Sequence, residues 1–257
     1  MRSQLSRTAL ALVAAAALMS AAACDDGNTT PTEPATQQDL DETARVVGAL
    51  MAADKGGDMA TLRDGAMSAQ GQSGAGFALD VRGAFRGQHL GLSYDVELEC
   101  YDGAGGTLSC SEGDASSADL VATWDGALNV GGLSIQSAMS ADWMIDKLNT
   151  DTAIVDGDSS AVLDVSLTGP QSARSLHLAF TASYQGLQLA ADTHRPVGGR
   201  VVYTLDVERR STNAQGERVA TLNADAVVTL GSDATATLEI SGSRYLVNMD
   251  SGAVDRM

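Results

Sequence analysis

From Phe77 onward the apolar residues recur at every second position. Phe77, Leu79, Val81 and Phe85 alternate with Asp80, Arg82 and Arg86, and Leu90, Leu92, Tyr94, Val96, Leu98 and Cys100 then share one parity. Period 2 with one apolar and one polar face predicts antiparallel strands buried on one side. The turns add register. A two-residue turn at Gly131-Gly132 pairs Val130 with Leu133, and so Leu128 with Ile135, Trp124 with Met139 and Leu120 with Trp143. Every pair is apolar, and a slip of one residue would turn all of them to water. This register places Trp124 and Trp143 in the core.

The same pattern runs to the C-terminus. Leu163, Val165 and Leu167 form one strand, and Leu176, Leu178, Phe180, Ala182 and Tyr184 another. Val201, Tyr203, Leu205 and Val207 turn through Thr212–Glu217 into Leu222, Ala224, Ala226, Val228 and Leu230. Gly231-Ser232-Asp233 leads to Ala236, Leu238 and Ile240. A Gly242-Ser243 turn would then pair Ile240 with Tyr245 and Leu238 with Val247, and Asp250-Ser251-Gly252 starts a last hairpin.

Before Phe77 the period is helical. Leu40, Ala44, Val47 and Met51 recur on one face behind Asp39 and Glu42, which have capping-box spacing, and Gly56-Gly57 ends the helix. Asp58 caps a second helix carrying Met59, Leu62 and Ala66, with Gly65 weakening it. The fold class expected is mainly β: a long antiparallel meander forming a strongly curved sheet or barrel, with a short N-terminal helical segment. About twelve strands with short connections cannot stay open and flat, so the sheet curls or closes.

The N-terminus changes the picture of where this domain works. Arg2 and Arg7 precede an apolar run, Thr8–Met19, which is shorter than the roughly 20 residues a bilayer requires. Ala21-Ala22-Ala23 lead into Cys24. This junction resembles the lipobox of bacterial lipoproteins, with Ala21 where that family usually has leucine. The resemblance implies a signal peptide over 1–23, lipidation at Cys24, and a lipid-anchored, extracytoplasmic place in the bacterial envelope. Residues 24–38 are polar and read as a flexible tether, which leaves 39–257 as a single β-rich domain, helical over 39–70 and stranded over 77–257.

An exported domain meets an oxidising compartment, so the remaining pair, Cys100 and Cys110, is expected to form a disulfide across a hairpin centred at Gly105. The net charge of −17 disfavours nucleic acid, a polyanion. Aromatic residues make up 4% of the chain, too few for the girdles of a membrane-embedded barrel.

The search for chemistry returns little. There is no HExxH, CxxC, GxSxG, SxxK, P-loop or dinucleotide fingerprint. His89, His177 and His194 read as solvent-facing. Asp156-Gly157-Asp158 reads as a polar turn without the spaced ligands calcium wants. No metal or cofactor is expected. Trp124, Trp143, Tyr94, Phe180, Tyr184 and Tyr203 share the buried parity, where they fill the core or line an apolar ligand cavity.

The function expected is a membrane-tethered, non-enzymatic binding or scaffold protein, with an envelope protein or a lipid as partner. An alternative is a carrier of a lipid or other apolar ligand in the concave face. Anchor, tether, helix and meander resemble in outline the half-barrel lipoprotein carriers. A carboxylate-based hydrolase is the third class.

Overall fold

The computed structural model describes residues 32–33, 35–52, 58–72, 84–89, 92–130, 133–169, 172–214 and 216–257. The expected signal segment 1–23, Cys24, most of the expected tether, the Phe77–Val81 alternation, Leu90, Gly56-Gly57 and the expected Gly131-Gly132 turn lie outside them.

Thirteen strands are present among the described residues. β1 is Thr32–Glu33, β2 Ala84–His89, β3 Leu92–Tyr101, β4 Thr107–Leu108, β5 Ser117–Val130, β6 Leu133–Asp146 and β7 Thr152–Thr168. β8 is Ala173–Ala190, β9 Pro196–Asn213, β10 Gly216–Leu230, β11 Thr235–Ile240, β12 Ser243–Asn248 and β13 Val254–Arg256. Eleven of them follow one another as an antiparallel meander in the order β2-β3-β5-β6-β7-β8-β9-β10-β11-β12-β13. β4 lies on β3, and β1 pairs in parallel with β10 at Val219 and Ala220. The sheet is curled and not closed.

The central register is the one the sequence dictates: Val130 faces Leu133, Leu128 Ile135, Trp124 Met139 and Leu120 Trp143. The apolar parity becomes a continuous inner face. Leu120, Trp143, Val155, Tyr184, Val201, Val228 and Leu238 are all buried on it. β8 carries a bulge at Gln185-Gly186, with Gly186 at φ +56°. The extra residue shifts the phase, so Leu187 and Leu189 turn inward after the even-numbered run ending at Tyr184.

Two helices close over this face. α1, Gln37–Leu50, starts at Thr36, which forms a capping box with Asp39. The box therefore begins three residues earlier than the Asp39–Glu42 spacing suggests: Thr36 is the extended residue, and Asp39 already sits in the first turn. Ala44, Val47 and Met51 face the sheet. α2, Asp58–Ala69, buries Met59, Leu62 and Ala66. Gly65 lets α2 approach β5 closely, since a Cβ there would lie 2.4 Å from a Leu120 methyl. Helices and sheet share one hydrophobic cluster.

Several expectations are corrected. The β11–β12 turn is Ser241-Gly242, with φ +48° and +81°, so Ile240 pairs with Ser243 and Leu238 with Tyr245. Two left-handed residues fit the twist of a tight hairpin, and the two-residue shift leaves the inward parity intact. Asp156-Gly157-Asp158 is not a turn but the middle of β7. Gly157, at φ +145°, lies so close to β6 that a Cβ would stand 2.2 Å from the Asp142 carbonyl oxygen. His194 is buried, held at φ +52° in the turn after β8, while His177 is exposed beside Asp164.

Cys100 and Cys110 form a disulfide, with Cα atoms 5.3 Å apart. Its local geometry differs from a simple hairpin. Cys100 pairs with Leu108, and Cys110 lies in a single 3-10 turn, Cys110–Glu112, that folds back over the strand. Closing so short a loop should stabilise the fold by about 2–3 kcal/mol. Reduction should lower the denaturation midpoint accordingly, and two free thiols in the unreduced, denatured protein would refute the bond.

Candidate functional site

The inner face carries polar groups where the helices meet it. Tyr184 and Ser159 both donate hydrogen bonds to Asp58 Oδ2, the serine at 2.9 Å. Tyr203 donates to Met51 Sδ at 2.9 Å. Tyr245 donates to Asp41 at 2.9 Å and accepts from Gln37 at 3.1 Å. Arg209 Nη1 lies 2.8 Å from Asp39 and 2.6 Å from Glu42. Each helix is thus fastened to the sheet by directional bonds as well as by its apolar stripe.

Asp58 is the most unusual of these groups. It opens α2 and is fully buried. Burial pushes its carboxyl up from 3.8 to about 6, against the hydrogen bonds from Tyr184 and Ser159, which favour the charged form. Its Oδ1 has no hydrogen-bond partner among the described residues. Trp143 Nε1 is likewise buried without one. The Trp143 ring meets Tyr184 edge-on at a centroid distance of 5.6 Å. Burial, and then the charge of Asp58, hold the Tyr184 phenol well above its usual range, so it remains a donor at neutral pH. The same two effects act on Tyr203. Ser159 donates directly to a carboxylate with no imidazole between them, so the arrangement holds a carboxyl group rather than activating a nucleophile.

Beyond the polar cluster the face is apolar. Phe180 and Tyr203 meet edge-on at 5.6 Å. Trp124, Ala161, Leu163 and Ala224 are only partly buried against the core, so this strip is less covered than the rest. Trp124 is therefore half-exposed, not enclosed as its register alone suggests, whereas Trp143 is fully buried. Of the six aromatic residues singled out in the sequence, Trp143, Phe180, Tyr184 and Tyr203 are buried together and Trp124 lies at their margin. The side chain of Tyr94 lies outside the described residues.

Two other concavities are present. A cleft of about 110 Å³ lies between the first turns of α1 and the ends of β8–β10. Its Arg209 pairs with Asp39 and Glu42 and its Arg210 with Glu208 and Glu217, so its charge is partly compensated within the fold. A shallow trough crosses β5–β10 along the row of Trp124, Met139, Ala161 and Phe180, with exposed groups such as Thr123, Asp125 and Thr181 beside it. Among the described residues no group of three His, Cys, Asp or Glu side chains could hold a metal ion, and no helix is long and apolar enough to cross a membrane.

Sequence reasoning missed Asp58, Ser159, Met51 and Tyr245 as members of this site. Ser159 gave a signal, being a polar residue on the apolar parity of Ala161, Leu163 and Val165. Asp58 gave none beyond its capping position. The fold defines the class: an open, curled all-β meander with two helices over its inner face. No family model matches the chain, and no curated protein or solved structure matches it.

Proposed function

We propose that this chain is a membrane-tethered, non-enzymatic binding protein of the bacterial envelope, and that the inner face beneath the helices receives the acyl chain of a lipid. The observation that carries the reading is the way the helices are held. Tyr184, Tyr203, Tyr245 and Arg209 of the sheet each bond a helix residue. Bonds of this kind fix where the helices sit but contribute little net free energy, because water satisfies the same groups when they part. The partly covered strip at Trp124, Ala161, Leu163 and Ala224 extends the apolar floor past the polar cluster. Helices that lift from such a floor expose an apolar trough suited to hydrocarbon.

Native mass spectrometry of the protein purified from its own membrane tests this reading. A bound species of lipid mass is expected; a co-purifying protein with no lipid would instead favour a scaffold. The tether has its own test. The junction at Cys24 supports lipidation, so Cys24→Ser should move the protein out of the membrane fraction or leave the precursor uncleaved. Wild-type fractionation with a processed N-terminus would rule the anchor out.

A further inference from the structure

The polar groups on the floor are unequally shared between sheet and helices. Tyr184 Oη, Ser159 Oγ, Tyr203 Oη and Trp143 Nε1 all belong to the sheet, and the first three donate to helix acceptors. The acceptors, Asp58 Oδ2 and Met51 Sδ, belong to or adjoin the helices. Trp143 Nε1 has no acceptor among the described residues, and Asp58 Oδ1 has no donor. A carboxyl group from α2 at present satisfies Tyr184 and Ser159, while Trp143 Nε1 remains as a donor still to be met. Lifting the helices leaves those donors to water or to a ligand.

The register places this seat at one end of an apolar track. Trp143, Gly157 and Tyr184 form one row across β6–β8, and Ala141, Ser159 and Ala182 the next. Met139, Ala161 and Phe180 follow, then Leu163 with Leu178, then Val165 with Leu176. From Ser159 to Val165 the strand covers about 20 Å, the length of an extended acyl chain of roughly sixteen carbons.

We propose that Tyr184, Ser159 and Trp143 form a seat for the carboxylate of a long-chain fatty acid, whose chain lies along Ala161–Val165, and that Asp58 occupies this seat as an internal stand-in. The proposal rests on the reading of the inner face as a lipid-binding surface and names the class of lipid. The exchange is close to balanced at the headgroup. Among the described residues no cation bonds Asp58, which sits desolvated with its carboxyl raised to about 6, and it regains water when displaced while the incoming carboxyl group takes on the same burden. The hydrocarbon chain then covers the apolar floor that Met59, Leu62 and Ala66 leave when α2 lifts.

The test compares oleate with its methyl ester on the folded mature protein by titration calorimetry. Asp58→Ala removes a tethered competitor and should tighten oleate by about tenfold. Asp58→Ser, whose short side chain brings no carboxyl group to the seat, serves if the alanine variant loses its far-ultraviolet circular dichroism, and should tighten oleate by at least about threefold. Tyr184→Phe should lower the ratio of oleate to methyl oleate affinity by about fivefold. Equal tightening of both ligands by the Asp58 variants, or an unchanged ratio in Tyr184→Phe, would overturn the carboxylate seat while leaving lipid binding in place. If neither ligand binds any variant, the lipid-binding reading itself falls.

Discussion

Trp143→Ala should lower the free energy of unfolding by about 3–5 kcal/mol, the range for removing a fully enclosed indole. Trp143 is 0% exposed and lies in the row that runs from Leu120 through Gly157 to Tyr184. Its neighbours cannot close the gap. Gly157 offers no side chain, and Tyr184 is held by its bond to Asp58. The same substitution at Trp124, half-exposed on the same strand pair, should cost less than half as much. Chemical denaturation followed by circular dichroism measures both. Equal losses at the two positions, or a loss below about 1 kcal/mol at Trp143, would contradict the packing described.

The second large effect is a dependence on pH. The Asp58 carboxyl has an ordinary value of 3.8 and is raised to about 6 in the fold. Between those values the folded chain binds a proton that the unfolded chain has lost, so this group makes stability fall as pH rises from about 4 to 6. Below 3.8 the penalty is absent; above 6 it is complete, at about 3 kcal/mol for two pK units. Other carboxylates contribute slopes of their own, so the informative quantity is the difference between wild type and Asp58→Asn. Relative to the wild type, the variant should gain roughly 2–3 kcal/mol on going from pH 4 to pH 7.5. Parallel stability profiles would show that Asp58 ionises as freely in the fold as out of it.

Strand order, inward parity and the central register were legible because they follow from local rules. A period of 2 defines a face, and consecutive short turns define a meander, as the pairing of Leu120 with Trp143 demonstrates. Closure was not legible: whether eleven strands end as a barrel or an open curl depends on accumulated twist, which no single residue encodes. The Ser241-Gly242 turn escaped because two adjacent frames share the same parity and differ only in which residues take positive φ. Asp58 escaped for another reason. A capping aspartate is ordinarily solvated, and only the distant Tyr184 and Ser159, brought over it by the sheet, make it buried and costly. His194 was read as exposed from its turn-like surroundings, but its ring is buried beside Gln70, which follows α2 and meets it at 2.7 Å.

The two helices also impose an order on how the chain acquires its structure. Every strand of the meander finds its partner in its neighbour, so hairpins form between segments close in sequence. The helices do not. Asp58 waits for a tyrosine 126 residues downstream, Met51 for one 152 residues away and Asp41 for one 204 residues away. A chain made from its N-terminus presents the stripes of Ala44, Val47, Met59 and Leu62 first and completes their floor last. These helices are the segments left longest without their partners. A chain truncated before Tyr245 would keep most of its hairpins and leave α1 without its final attachment.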